Sequence, residues 1–296
     1  MTLHRFTFRA MAAENEVQVH AEDAAFAEAM ANAAIAEVNR IEAKYSRYLA
    51  DSVVSRINAA AGAEAVAVDE ETMALLAFAD ACFRQSDGLF DATSGVLRRA
   101  WNFKEARLPS QAELDALLPL VGWQHVELSD SRVRLAKPGM QLDFGGFGKE
   151  YAVDRAARVM RERGAQSAMV NLAGDLAILG PQPGATPWRV GIRHPRLEDK
   201  LLATLPVSSG ALATSGDYER FIEVDGIRHC HVLDPRTGRS ARGLQSVTVH
   251  GPSCLVAGSA TTIAMLKGRD DGLAWLAELG LAHLAVADDA TVIDRF

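Results

Sequence analysis

The chain has 296 residues, of which 49% are hydrophobic and 23% are charged, and its formal net charge is −7. A chain of this length folds as one large domain or two modest ones, and the composition is typical of a soluble globular protein. The excess of acidic residues argues against a nucleic-acid-binding protein held by phosphate contacts, and no apolar run reaches the length of a membrane helix.

The N-terminus and the cysteines show neither a targeting signal nor a metal-binding spacing. Residues 1–9 lack a basic region followed by an apolar run, so the sequence as given predicts no secretory signal and a cytoplasmic location. Cys82, Cys230 and Cys254 lie far apart, without a CxxC spacing. They are expected to pack as small hydrophobic residues rather than form a zinc site or a disulfide framework.

The elements predicted in the first part of the chain are one strand pair followed by helices. Alternating residues at 3–9 and 16–20 predict a β-hairpin. Apolar residues at steps of three and four predict a helix over 23–45, with Phe26 on its buried face. A similar spacing predicts a second helix over 69–86.

From residue 125 onward the predicted elements are mostly short strands. Paired strands with irregularly placed helices favour an α+β fold with mixed or antiparallel sheets over a strict βαβ repeat. The loops at 102–109 and 181–187 are expected to be the least ordered. Helices are expected at 151–163, 255–267 and 271–279, and strands at 125–128, 132–136, 141–144, 167–172, 176–179, 188–193, 221–224, 228–233, 246–250, 282–286 and 291–293.

A glycine-rich turn over 142–149 joins a predicted strand to a predicted helix. Free amide groups and the positive end of a helix favour a phosphate at such a turn, and Lys149 adds a positive charge there. The spacing matches neither a Walker loop nor the dinucleotide-binding GxGxxG pattern. Taken alone, the segment favours a tight strand-to-helix turn with a solvated Lys149 over a phosphate site.

A histidine and an aspartate lie beside a Pro-x-Thr-Gly turn in the segment from His231 to Gly238. Pro and Gly restrict such a turn and thereby fix the side chains that precede it. Histidine is the side chain best suited to moving a proton near neutral pH. The segment therefore predicts either an acid–base site at His231 or a strand with an exposed histidine that ends in an ordinary hairpin turn.

Several short segments, taken together and in this order, resemble the ApbE family, the FAD:protein FMN transferases. They cover residues 46–268, and the ordered set is far more specific than any single piece. The matching segments are Ser46-x-Tyr48-x-x-x-Ser52, Phe90-Asp91-x-Thr93-x-Gly95, Leu142-Asp143-x-Gly145-Gly146 with Lys149 and Tyr151-Ala-Val-Asp154, Asn171-Leu172-x-Gly174-Asp175, Pro187-Trp188-Arg189-x-Gly191-Ile192, Ala213-Thr214-Ser215-Gly216-Asp217-Tyr218, His231-x-x-Asp234-Pro235-x-Thr237-Gly238 and Ser246-Val-Thr-Val.

The resemblance implies a fold, a reaction and a set of site residues. The fold would be a single α+β domain over 1–296 with a two-lobed, T-fold-like architecture, in which 1–124 and 125–296 could form sub-lobes. The reaction would be Mg²⁺-dependent transfer of FMN from FAD to a Ser or Thr hydroxyl of an acceptor flavoprotein, with AMP leaving. Many members of the family are exported, so a trimmed N-terminus would imply a periplasmic location.

The resemblance also assigns roles to individual residues. His231 is the candidate base, assisted by Asp234, with Asp217 as a further catalytic candidate. Gly148, through its carbonyl, and Thr262, through its hydroxyl, are the candidate metal ligands. The residues expected to contact FAD are Met11, Tyr48, Leu89, Phe90, Asp91, Asp143, Lys149 and Leu233.

Four segments depart from the family pattern, and the first is Met11-Ala12-Ala13, where the family has Met-Gly-Thr. Gly258 stands where the family usually has an aspartate metal ligand, although Thr262, four residues later, is kept. Glu150 replaces a common glycine after Lys149 and adds a negative charge beside the expected phosphate site. Thr261 stands where some members have an acidic residue.

The departures leave three hypotheses for the function. The first is the flavin transferase, with Mg²⁺ held by Thr262, carbonyls, water and the FAD phosphates. The second is a protein that binds FAD or another adenine nucleotide without transfer, and the third is an FAD pyrophosphatase. Gly258 is the residue that distinguishes the first two, because a site of carbonyls and one hydroxyl lacks the anionic oxygen that a hard cation prefers.

Overall fold

The computed structural model describes residues 1–103 and 107–296 and consists of antiparallel sheets with helices packed on them. The α-helices are α1 (Ala24–Tyr45), α2 (Val53–Ala59), α3 (Glu70–Gln85), α4 (Gln111–Leu117), α5 (Gly148–Glu162), α6 (Cys254–Lys267) and α7 (Arg269–Glu278). The strands are β1 (Thr2–Ala10), β2 (Ala13–Ala21), β3 (Val66–Ala67), β4 (Val126–Ser129), β5 (Arg132–Leu135), β6 (Ala168–Leu172), β7 (Asp175–Ile178), β8 (Trp188–Arg193), β9 (Leu201–Val207), β10 (Gly210–Gly216), β11 (Phe221–Val224), β12 (Ile227–Cys230), β13 (Leu244–Gly251), β14 (Ala282–Ala287) and β15 (Val292–Asp294).

The largest sheet has eight strands in the order β1-β2-β6-β7-β10-β13-β14-β15. Every neighbouring pair in it is antiparallel. Three smaller sheets, β3-β5-β4, β8-β9 and β11-β12, complete the described part of the chain. This arrangement confirms the predicted α+β class with antiparallel sheets, and the pairing of β2 with β6 joins strands from both sides of residue 125 in one sheet.

Helix α1 covers the predicted range and packs against α5. Asp23 caps it by accepting a hydrogen bond from the Ala25 amide at 3.0 Å. The prediction that Phe26 is buried is wrong, because Phe26 is 36% exposed. The buried stripe passes through the neighbouring Ala27 and Met30, and the rotation of about 100° per residue turns Phe26 toward solvent.

Helices α5 and α6 are tied together by a single carboxylate. Both oxygens of Asp154, on α5, accept hydrogen bonds from the first amides of α6, those of Cys254 and Leu255, at 2.7 and 2.8 Å. These amides have no partner within their own helix, so Asp154 satisfies them. Helix α5 itself begins at Gly148, three residues before the range predicted for it.

The predicted strand at 141–144 is absent, because the partners of this segment are not a neighbouring strand. The Asn58 side chain accepts from the Leu142 amide at 2.6 Å and donates to the Leu142 carbonyl at 2.9 Å. The Asp143 amide donates to the Ala92 carbonyl at 2.8 Å. One side chain and one loop carbonyl thus replace the regular ladder that a strand requires.

Other differences concern the ends of elements and the loops. The strand predicted at 228–233 ends at Cys230, and β9 (Leu201–Val207) was not predicted. Residues 104–106 of the predicted loop at 102–109 lie outside the described residues. The loop at 181–187 contains a short helical turn, closed by a 2.8 Å hydrogen bond from the Gln182 amide to the Thr186 carbonyl.

Candidate functional site

A cavity of about 710 Å³ brings together segments that are far apart in the chain. Its walls come from the β1–β2 turn, the segments after α1 and α3, the glycine-rich turn, β10, the residues after β12, and α6. Its size lies within the range of small-molecule and cofactor sites. The predicted site residues that line it are Met11, Tyr48, Leu89, Phe90, Asp91, Asp143, Gly148, Lys149, His231, Leu233 and Thr262.

Two arginines and the glycine-rich turn fix Asp143 on the cavity wall. One carboxylate oxygen of Asp143 accepts from the Gly145 amide at 2.8 Å. The other lies 3.5 Å from Nε of Arg47 and 3.4 Å from Nε of Arg98. Sequence reasoning did not select these arginines, although both line the cavity and place positive charge where an anionic ligand would bind.

Lys149 is paired with a buried aspartate. Its Nζ lies 2.7 Å from Oδ2 of Asp175, at the start of β7. Burial alone would lower the pKa of Lys149, but the charge of Asp175 outweighs it and raises the pKa above its usual value. Lys149 therefore keeps its positive charge. Asp175 was visible in the sequence only as the last residue of a turn motif, and its role depends on this contact.

Glu150, the residue after Lys149, is buried and lines the same cavity. Its Oε2 has no hydrogen-bond partner among the described residues. Burial and the charge of Asp175 raise the pKa of Glu150 above its usual value. A β-carbon at position 258 would lie 2.5 Å from Cγ of Glu150 and 3.0 Å from its Oε1. Gly258 is therefore the residue that leaves room for the Glu150 side chain.

A network of hydroxyl groups joins β10 to α6 beside this carboxylate. The Ser215 hydroxyl lies 2.8 Å from that of Thr261 and 3.2 Å from that of Thr262. Thr261 in turn donates to the Gly258 carbonyl at 2.8 Å. Ser215 and Thr262 both line the cavity, so oxygen atoms from two elements are exposed to a bound ligand.

His231 follows β12 and lies half-buried at the cavity wall. Its amide donates to the Arg220 carbonyl at 3.0 Å, which fixes the backbone. Its Nδ1 is buried and has no hydrogen-bond partner in the described part of the chain. Burial, together with the charges of Arg98 and Arg220, lowers its pKa to about 4. The ring is therefore neutral at pH 7 and able to accept a proton.

Asp234, predicted to assist His231, and Asp217, the further catalytic candidate, make their contacts outside the cavity. Asp234 accepts from the Arg236 amide at 2.8 Å and pairs with the Arg236 guanidinium, which orders the turn after His231. Asp217 forms a two-contact ion pair with Arg196, at 2.7 and 2.6 Å. Neither aspartate lines the cavity. The geometry brings His231 to the site and leaves both carboxylates in its supporting loops.

The apolar wall and the mouth of the cavity come from the remaining predicted contacts. Leu89 and Phe90 are buried, and Tyr48 is 77% exposed, with the Arg47 guanidinium 4.8 Å from its ring centre. Asp91 lines the cavity, but its carboxylate accepts from the Thr93 amide and hydroxyl at 2.7 and 2.6 Å. Asp91 thus orders its own turn.

The described residues contain no acidic or histidine cluster for a metal and no helix that could cross a membrane. Within 1–103 and 107–296, no group of three or more His, Cys, Asp or Glu side chains could hold a metal ion. A divalent cation in the cavity would have to draw on hydroxyl, carbonyl and ligand oxygens as well as a carboxylate. In the same ranges, no helix combines the length and apolar character needed to cross a membrane.

Comparison with known proteins places the chain in a family. The model of the ApbE family matches residues 11–285. A FAD:protein FMN transferase of Vibrio cholerae is 30% identical over 244 residues, covering 80% of this chain and 73% of that protein. One from Treponema pallidum is 31% identical over 271 residues, covering 83% and 75%.

Solved structures show the same similarity. The ApbE protein of Thermotoga maritima has a TM-score of 0.91 at 33% identity and covers 99% of this chain and 97% of its own. The flavinyl transferase ApbE of Pseudomonas stutzeri has a TM-score of 0.86 at 30% identity and covers 98% and 93%. The match along nearly the whole chain, in sequence and in structure, means that this chain belongs to the ApbE family.

Proposed function

We propose that the chain is a FAD:protein FMN transferase. The observation that carries the proposal is one cavity lined by a neutral His231, a charged Lys149 and two arginines, in which Nδ1 of His231 has no hydrogen-bond partner among the described residues. A base and a set of cations around one pocket are what transfer of a phosphorus-linked group requires. The names of the curated relatives support the same activity.

The reaction exchanges one phosphorus–oxygen bond for another. The hydroxyl oxygen of the acceptor attacks the phosphorus of the FMN half of FAD, and the bond to the bridging pyrophosphate oxygen breaks, so that AMP leaves with the electron pair. His231 accepts the hydroxyl proton during the attack. Asp234 orders the turn after His231 and Asp217 pairs with Arg196, so we assign both aspartates positioning roles.

FAD would be held by an apolar region and a charged region of the same cavity. Met11, Leu89, Phe90 and Leu233 offer the apolar surface for its rings, and Tyr48 at the mouth offers a face for stacking. Asp143 and Lys149 lie at the glycine-rich turn, and Arg47 and Arg98, which pair with Asp143, would neutralise the phosphates. Asp91 would act through the turn that it orders.

Mg²⁺ would bind at the hydroxyl side of this cavity. Thr262 and Gly148 line it, and Oε2 of Glu150, which has no hydrogen-bond partner in the described ranges, is a buried oxygen that fits a hard cation. When bound, the ion would offset the charge that develops on the phosphates. The acceptor residue would be a Ser or Thr, whose hydroxyl enters beside His231.

The transfer assay tests the proposed function. The purified chain is incubated with FAD, Mg²⁺ and a candidate acceptor flavoprotein, and we expect a fluorescent acceptor band on a denaturing gel with one AMP formed per flavin attached. Bound flavin without labelled acceptor or AMP would instead identify a binding protein. AMP with free FMN would identify a pyrophosphatase.

A further inference from the structure

We propose that Glu150 supplies the anionic oxygen of the divalent-cation site, from α5 instead of from position 258 on α6. This inference rests on the proposed function for its purpose, since the cation would serve the phosphates of FAD. It assigns a ligand role to a residue whose charge, judged from sequence alone, weighs against phosphate binding. Four observations carry it.

The first observation is that Glu150 is a buried carboxylate without a partner. It is 8% exposed, and its Oε2 makes no hydrogen bond within the described residues. An isolated buried carboxylate is costly, because nothing replaces the water that would solvate it. A cation bound in the cavity, which Glu150 lines, would provide the missing contact.

The second observation concerns the neighbouring charges. Lys149, the adjacent cation, directs its Nζ to Asp175 at 2.7 Å. Asp154 uses both oxygens on the amides of Cys254 and Leu255. The contacts of these two groups are thus directed elsewhere, and the Glu150 carboxylate keeps a site for a positive ion.

The third observation is that side chains at position 150 on α5 and position 258 on α6 compete for the same space. A β-carbon at position 258 would lie 2.5 Å from Cγ of Glu150, so side chains at the two positions exclude each other. The Glu150 carboxylate therefore occupies the space that a side chain at 258 would enter. In the family pattern that the sequence resembles, position 258 usually holds an aspartate, and Glu150 on α5 would stand in for that acidic group.

The fourth observation is a set of hydroxyl and carbonyl oxygens on β10 and α6, the helix that carries Gly258. The hydroxyls of Ser215 and Thr262 lie 3.2 Å apart on the cavity wall, and the Gly258 carbonyl belongs to the same network through Thr261. Mg²⁺ sites often use one or two carboxylates, with waters and substrate phosphates filling the remaining positions. One carboxylate with hydroxyls and FAD phosphates meets this requirement.

Mn²⁺ is the probe for the test, because its electron paramagnetic resonance signal reports the free ion. Mn²⁺ is titrated into the native chain, Glu150→Gln, Glu150→Gly and the double variant Glu150→Gly/Gly258→Asp, each with saturating FAD. Glu162→Gln is the matched control, since Glu162 lies on the same helix with its side chain exposed and paired with Arg158. FAD affinity in EDTA is measured in parallel by flavin fluorescence.

We expect Glu150→Gln and Glu150→Gly to weaken Mn²⁺ binding at least tenfold, while FAD affinity in EDTA stays within twofold of native. The double variant should recover Mn²⁺ affinity to within threefold of native, and Glu162→Gln should match the native chain. Circular dichroism establishes that each variant is folded. If Glu150→Gln does not fold, the comparison of Glu150→Gly with the double variant decides.

The proposal is overturned if the native chain binds no Mn²⁺ with FAD present, if a folded Glu150→Gln binds Mn²⁺ as the native chain does, or if the double variant binds no better than Glu150→Gly. Failure of the transfer function gives a different result. A chain that binds Mn²⁺ through Glu150 but labels no acceptor would refute the function and retain the cation site. A chain that labels its acceptor with Mn²⁺ affinity independent of Glu150 would retain the function and refute the site.

Discussion

At the scale of single residues, His231 determines how transfer responds to pH. Its pKa is lowered to about 4 by burial and by Arg98 and Arg220, so the ring remains unprotonated well below the usual histidine range. We expect kcat/KM for FAD to show no loss centred near pH 6.5 as the pH falls from 8 to 5, because kcat/KM reports the free enzyme. Initial rates of acceptor labelling across this range provide the measurement.

The matching variant is His231→Gln, which keeps a polar side chain but accepts no proton. General-base catalysis contributes about 100-fold or more, so we expect a loss of that order in transfer rate with FAD affinity retained. Full activity in this variant, or a rate that halves near pH 6.5 in the native chain, would remove His231 from the proposed role.

Some site residues can be recognised from sequence motifs, whereas others can be recognised only from their contacts in the folded chain. His231, Asp143 and Lys149 were recognisable from ordered motifs, and all three line one cavity. Glu150 was recognisable only as an unusual acid. Its relation to Gly258 depends on the packing of α5 beside α6, which local sequence does not encode.

At the scale of elements, the segment before α5 is held by a side chain rather than by a strand. Asn58 makes two hydrogen bonds to the backbone of Leu142, just before Asp143 and the glycine-rich turn. We expect Asn58→Ala to destabilise the chain by about 2 kcal/mol, since it leaves a buried amide and carbonyl unpaired. It should also raise KM for FAD several-fold, because the turn that carries Asp143 loses its anchor.

Urea denaturation and steady-state kinetics measure these two effects. Asn39→Ala is the control, since Asn39 is an exposed residue of α1. Equal stability of the two variants would mean that the Asn58 contacts do not hold the turn.

The predictions of helices and strands were correct where an apolar pattern repeats over many residues. They failed where a residue far away in the sequence determines the local structure. Alternating residues predict the β1–β2 hairpin, and an apolar stripe along the 22-residue helix predicts α1. The segment 141–144 has the local pattern of a strand, but its partner is a side chain 84 positions away. Local sequence cannot distinguish that partner from a neighbouring strand.

At the scale of the whole molecule, the half-buried His231 makes the free energy of unfolding depend on pH. Its pKa is about 4 in the folded chain, whereas an ordinary histidine has a pKa of about 6.5, so the unfolded chain binds more protons between these limits. Stability therefore falls as the pH drops from 6.5 to 4, and this group accounts for about 3 kcal/mol of the loss. Above pH 6.5 the titration of His231 no longer changes the free energy of unfolding.

Urea denaturation of the native chain and of His231→Gln at pH 7.5 and pH 4 isolates this contribution. We expect the native chain to lose about 3 kcal/mol more than the variant over this interval. An equal loss in both proteins would show that the histidine is accessible to protons in the folded state.

The junction of β2 with β6 has a consequence for any attempt to divide the chain. These strands pair from Asn15 with Leu172 to Val19 with Ala168, so one belongs to the first 124 residues and the other to the remainder. Separate expression of the two pieces would expose the hydrogen-bonding edge of each strand, and such open edges favour aggregation. We therefore expect the two pieces to fold only when they are produced together, so that β2 and β6 can pair. Folding of such a split protein would then indicate that the two pieces have met.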